Sequence, residues 1–177
     1  MKKISIDRVL SGVAVIGWMI VIFLFSAQPA EVSSETSGGI VSQIVELVYP
    51  SFETIPEPEQ MLILDTWQTV VRKGAHFCAY ALLGALVANA IRTYNVRKHL
   101  RYGIPVAVSA LYAISDEFHQ YFVPGRSCQF LDMCIDTAGA VFGTAMFALA
   151  VFLIAKCRNK MSIPKHQNAC WSKDGKI

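Results

Sequence analysis

Hydrophobic positions in this chain fall into four long blocks. Val9 to Ala27 carries no charged side chain, and Gly74 to Ile91 has His76 as its only ionisable group apart from cysteine and tyrosine. Gly103 to Val123 is apolar through its first half and holds Asp116, Glu117 and His119 in its second. Phe130 to Ala155 carries Asp132 and Asp136 near its start and is otherwise uncharged. A bilayer core takes a helix of roughly 20 apolar residues, so the pattern predicts spans over 9–27, 74–91, 103–123 and 130–155. The expected fold class is all-α, a polytopic membrane helical bundle with four transmembrane helices.

The segment 28–73 between the first two spans has shorter apolar patterns. Ile40, Val41, Ile44, Val45, Leu47 and Val48 recur at helical spacing, and Met61, Leu62, Leu64, Trp67, Val70 and Val71 follow the Pro56-Glu57-Pro58 break. These predict short interfacial helices in an outer loop. The domain reading is one membrane domain over 1–158 and a polar tail, without periodicity, over 159–177.

Composition agrees with the pattern. The hydrophobic fraction is 54% and the charged fraction 16%, against a soluble norm of about 45–50% and about 25%. Disorder is excluded by that apolar content, and a net charge of only +3 does not describe a nucleic-acid binder. The five cysteines form no CxxC pair and are odd in number, so neither a disulfide framework nor a zinc knuckle is indicated. Cys128 and Cys134 read as small apolar fillers. The first block exceeds the 7 to 15 apolar residues of a signal peptide, and no small-x-small cleavage site follows it, which predicts an uncleaved anchor.

Charge placement sets the orientation. Thirteen Lys and Arg lie in the N-terminus, the Arg92 to Arg101 loop and the tail, against Arg72, Lys73 and Arg126 on the other side. The positive-inside rule puts both termini in the cytoplasm. The outer loop carries seven acids, from Glu31 to Asp65.

With this topology nine polar groups gather at one depth near the outer surface: Lys73, His76, Asp116, Glu117, His119, Gln120, Arg126, Asp132 and Asp136. Charges inside a membrane helix cost about 2.5 kcal/mol or more each, so they face inward, pair, and mark functional sites. Lys73 with His76, Asp116 with His119 and Gln120, and Asp132 with Asp136 stand three or four apart, one polar stripe per helix. Gly139 and Gly143 continue the last stripe as a packing face. Four carboxylates, two cations and two histidines leave a carboxylate surplus, which admits a divalent cation with Asp116, His119 and Asp132 as candidate ligands. No cofactor motif is present.

Three pieces, Arg72-Lys73-Gly74-Ala75-His76-Phe77-Cys78-Ala79-Tyr80-Ala81-Leu82-Leu83-Gly84, Ser115 to Arg126, and the Asp-x-x-x-Asp-x-x-Gly-x-x-x-Gly run from Asp132 to Gly143, resemble the VanZ-like family of membrane proteins. Phe25-Ser26-Ala27-Gln28-Pro29 is similar to that family's exit from its first span. Where many family members have Glu before the tyrosine of the second span, this chain has Ala79, so no role of that acid carries over. The resemblance implies a bacterial plasma-membrane protein that lowers susceptibility to glycopeptide antibiotics, teicoplanin in particular.

Three function classes follow. As an acid/base hydrolase or transferase on a lipid-linked substrate at the outer leaflet, the chain would use His119 or Glu117 as acid or base, with Asp116 beside them. Lys73, His76, Tyr80, Gln120, Arg126, Asp132 and Asp136 would then bind substrate, Arg126 by its bidentate fork. As a binding protein, the same cleft would hold a membrane lipid, a lipid-linked envelope precursor or the glycopeptide without turnover. As a small proton-coupled transporter, it would use the acids and histidines as a relay. A purely structural reading makes Lys73 to Asp132 a helix clamp, Asp116 to Arg126 a turn-closing pair, and His76 an interhelical hydrogen bond.

Overall fold

The structure, a computed structural model, describes residues 6–126 and 128–161, with side chains through Asn159. Most of the expected tail lies outside the described residues. Among those residues the fold is all-helical: α1 (Ile6–Ser26), α2 (Ala30–Val48), a 3-10 turn at Phe52–Thr54, α3 (Glu57–Arg92), α4 (Lys98–Gln120) and α5 (Phe130–Met161).

Three of these, α1, α3 and α5, are long and apolar enough to cross a membrane. α4 covers 103–120 of the third predicted span, whose last three residues lie in the following turn, and it falls short on apolar content, because Asp116, Glu117, His119 and Gln120 occupy its last turns. Of these, Asp116, Glu117 and Gln120 do not face outward, since all three are buried.

The second surface helix expected over 61–71 is not a separate element. It is the first part of α3, which runs 36 residues from Glu57 to Arg92. No proline or glycine falls between Pro58 and Gly74 to stop it, and Pro58 sits in the first turn, where its missing N–H costs nothing. At 1.5 Å per residue α3 is about 54 Å long, so roughly 24 Å extends beyond a 30 Å hydrocarbon core. α2 packs along this extension with Val41 and Val45 buried, while Leu47 stays 83% exposed. Gln68 donates from Nε2 to the Ser34 carbonyl across the two helices at 3.4 Å.

α3 is the centre of the bundle and packs most extensively on α5. The two run in the same direction, with Lys73 beside Asp132, His76 beside Asp136, and Phe77 over Gly139. A Cβ on Gly139 would meet the Phe77 carbonyl, and one on Gly143 would meet the Ala81 backbone. Gly84 of α3 approaches Ala140 and Thr144 in the same way. Small residues thus bring the two backbones close. α1 is tied across the bundle by Trp18 Nε1 to the Ala79 carbonyl at 2.9 Å and by the Tyr112 hydroxyl to the Met19 carbonyl at 2.6 Å. Val13, Ile16, Leu24, Phe142, Phe152 and Ile154 form an apolar exterior.

Candidate functional site

The polar stripes of α3, α4 and α5 meet at one end of the bundle, and the end of α1 joins them. Asp116 is 3% exposed, Glu117 1% and Asp136 0%. Asp116 Oδ2 accepts from Ser26 Oγ at 2.7 Å, from the Tyr80 hydroxyl at 3.3 Å and from Gln120 Nε2 at 3.3 Å. Gln120 Nε2 also reaches Ser26 Oγ at 3.2 Å. One oxygen of this carboxylate is thereby fixed by three donors from three helices, while its Oδ1 is buried with no partner.

Glu117 points elsewhere. Its Oε2 accepts from the Gln129 backbone N–H at 3.0 Å, tying the end of α4 to the start of α5, and its Oε1 has no partner. On α5, Asp132 pairs with Lys73, so the helix clamp of the structural reading is present. One turn deeper, His76 Nδ1 stands 3.6 Å from Asp136 Oδ1, an ion-pair approach too long for a hydrogen bond. Neither Asp136 oxygen has a hydrogen-bond partner.

Arg126 closes the rim. The preceding Gly125 has φ +74°, a left-handed conformation that only glycine adopts freely, and it turns the chain so that Arg126 faces back over α1. Arg126 donates to the carbonyls of Gln28 (2.9 Å) and Phe25 (3.4 Å) and to Gln120 Oε1 (3.3 Å). The pair it forms is not with Asp116, as the turn-closing reading would have it. Burial, with the neighbouring Arg72 second, pushes the Arg126 guanidinium below its usual range. Among the described residues Arg72 and Arg126 form no ion pair with a carboxylate.

Of the predicted site residues, Lys73, His76, Gln120, Arg126, Asp132 and Asp136 line one small cavity of about 60 Å³, room for a few waters. His119 does not. Its ring stacks on Phe23 with centroids 4.5 Å apart, on the α1 side of α4, and its buried Nε2 is unpartnered. Among the described residues, the candidate ligand atoms that come within 4.8 Å of one another belong to His76, Asp116 and Asp136, which share only Asp116 with the set expected from the sequence. Cys128 and Cys134 are exposed and fill no space in the core. Cys134 is two residues from both Asp132 and Asp136, about 200° around the helix from the inward stripe.

Two contributors lay outside the predicted set. Ser26 caps the Asp116 network, and its place in the Phe25 to Pro29 exit was the one sign of it. Arg72 lies four residues before His76, hence on the same face, but its charge speaks first to orientation.

A second, larger cavity of about 550 Å³ opens between α1, α2 and α3. Trp18, Ile22, Phe25, Ile40, Val71 and Leu82 make its walls apolar. Arg72, His76 and Arg126 line both this groove and the small polar cavity, so the two adjoin at their polar ends.

A bundle with apolar side chains outside, carboxylates buried within and three helices of spanning length is a helical membrane protein. A family model described as VanZ/LLP1 matches residues 12–153, and the chain belongs to that family. No curated protein and no solved structure matches it.

Proposed function

We propose that this is a four-span plasma-membrane protein with both termini cytoplasmic, whose outer polar site binds an envelope lipid or lipid-linked precursor through an anionic headgroup. The observation that carries the reading is the meeting of an apolar groove and a cationic rim: Arg72 and Arg126 line both cavities, and among the described residues neither forms an ion pair with a carboxylate. An acyl or prenyl chain fits the groove beside Trp18 and Leu82, and a phosphate or carboxylate takes the bidentate fork of an arginine. α4 is the fourth span in this reading; its 23 residues are about 35 Å long and its acids are turned inward. α2 and the start of α3 then stand at the outer membrane surface. Occupying an outer-leaflet lipid is how the protein would lower teicoplanin susceptibility.

Binding accounts for the geometry better than turnover or transport. The acid/base candidate His119 faces Phe23 and lines neither cavity. Toward the other end of the bundle the buried polar side chains of α4 and α5 are Ser109 and Thr144, neither of which titrates in the range of a proton relay.

The test is a lipid titration in detergent of a chain whose single tryptophan is Trp18 (Trp67→Phe, Trp171→Phe). A brominated-chain lipid with a monophosphate headgroup should quench Trp18 saturably, at one lipid per chain. The double variant Arg72→Gln, Arg126→Gln should bind it at least about tenfold more weakly, the loss of roughly one charged hydrogen bond. Equal quenching by a neutral lipid of the same chain would refute the reading, and so would an unchanged double variant.

A further inference from the structure

Beneath the lipid-facing rim lies a group of atoms that the lipid reading does not use. Asp136 is completely buried on α5, and both of its oxygens lack a hydrogen-bond partner. Asp116 Oδ1 on α4 is in the same condition. Lys73 is engaged by Asp132, and Arg126 directs donors to Gln120 and two backbone carbonyls and pairs with neither of these carboxylates. His76, itself part-buried on α3, approaches Asp136 at 3.6 Å without making a hydrogen bond. An ionised carboxylate removed from water and left without a donor is strongly disfavoured unless a cation compensates it.

We infer that His76, Asp116 and Asp136 bind one divalent cation of the Mn²⁺ or Zn²⁺ type, which joins α3, α4 and α5. One imidazole nitrogen and one oxygen from each carboxylate lie within 4.8 Å of one another. Ligands around a tetrahedral ion with bonds of about 2.1 Å stand about 3.4 Å apart, so side-chain movements of about an ångström close the set. One nitrogen with two carboxylate oxygens suits these metals, whereas Ca²⁺ and Mg²⁺ take oxygen alone. Ser26, Tyr80 and Gln120 all donate to Asp116 Oδ2, which fixes the carboxylate and leaves Oδ1 without a donor, the ordering that an outer shell supplies at metal sites. The polar cavity reaches His76 and Asp136, so water can complete the coordination and an ion can enter from the rim. This site does not depend on which lipid, if any, fills the groove.

Mn²⁺ is the probe to use, because the exposed thiols of Cys78, Cys128, Cys134 and Cys157 would compete for Zn²⁺. Full-length protein purified in detergent and stripped with a chelator should take up one Mn²⁺ per chain, with imidazole nitrogen hyperfine coupling in its electron spin-echo spectrum. Asp136→Asn and His76→Ala should each weaken that binding by more than about tenfold, the loss that follows even from removing a ligand's hydrogen-bond partner. Folding is controlled by thermal unfolding: metal-free Asp136→Asn should melt no lower than metal-free wild type, and Mn²⁺ should raise only the wild-type midpoint. Absence of stoichiometric Mn²⁺ uptake by wild type at millimolar concentration overturns the inference. So does uptake that survives both substitutions undiminished, or that shows no nitrogen coupling.

Discussion

Gly143→Ala isolates the contact on which the α3 and α5 pairing depends. A Cβ at this position would land against the carbonyl oxygen, carbonyl carbon and Cα of Ala81. All three are backbone atoms of a helix, so no side chain can swing aside and the helices themselves must part. Overpacking of this kind costs about 1–3 kcal/mol, and a rigid backbone neighbour puts the cost at the upper end. Alanine in place of glycine in a helix returns up to about 1 kcal/mol. The net expectation is a loss of about 2 kcal/mol, as much as a 30-fold change in the folding equilibrium. On soluble-domain scaling that lowers the midpoint by roughly 4–8 °C. Thermal unfolding in detergent measures it, with Gly12→Ala on α1 as the reference, where an added Cβ meets nothing within 4 Å. Gly12→Ala should be neutral or slightly stabilising. If Gly143→Ala melts at or above wild type, the close approach of α3 and α5 at Ala81 is wrong.

Two further predictions bear on the rim and the topology. Gly125→Ala forces a Cβ into a left-handed conformation, φ +74°, and 3.0 Å from the Ala30 Cβ. It should cost about 1–2 kcal/mol and weaken monophosphate-lipid binding by loosening Arg126; unchanged melting and binding would show that the turn does not hold the rim. With single-cysteine chains in intact cells, a membrane-impermeant maleimide should label Cys128, between α4 and α5, and spare Cys157, near the end of α5. Labelling of Cys157 from outside would reverse the proposed orientation.

The helices were legible in the sequence because a span is a long uncharged run, and α1, α3 and α5 contain such runs unbroken. What the runs hide is where a helix ends in water. From Pro58 to Gly74 nothing breaks α3, and an apolar set that looks like a separate surface helix is the same helix continued. Within the site, the i to i+3 and i+4 rule placed Asp116, His119 and Gln120 on one face. His119 lies about 60° to one side of Asp116 and Gln120 about 40° to the other. Phe23 of α1 lies on the His119 side and takes the ring there, while Gln120 turns with Ser26 of α1 into the network. Which side of a stripe a neighbour occupies is a tertiary fact that one helix's spacing does not contain.

The packing stripe and the polar stripe of α5 are one device. Asp132, Asp136, Gly139 and Gly143 follow at intervals of four, three and four, so all point at α3. Because the helices run parallel, the register that seats Gly143 on Ala81 also sets Asp132 beside Lys73 and Asp136 beside His76. A slip of one turn, about 5.4 Å, would bring Asp132 to the depth of His76 and carry Asp136 past it toward Tyr80. The glycines therefore tolerate no added methyl for two reasons that act together. They hold the backbones close, and that closeness is what keeps a buried carboxylate opposite a histidine instead of opposite hydrocarbon.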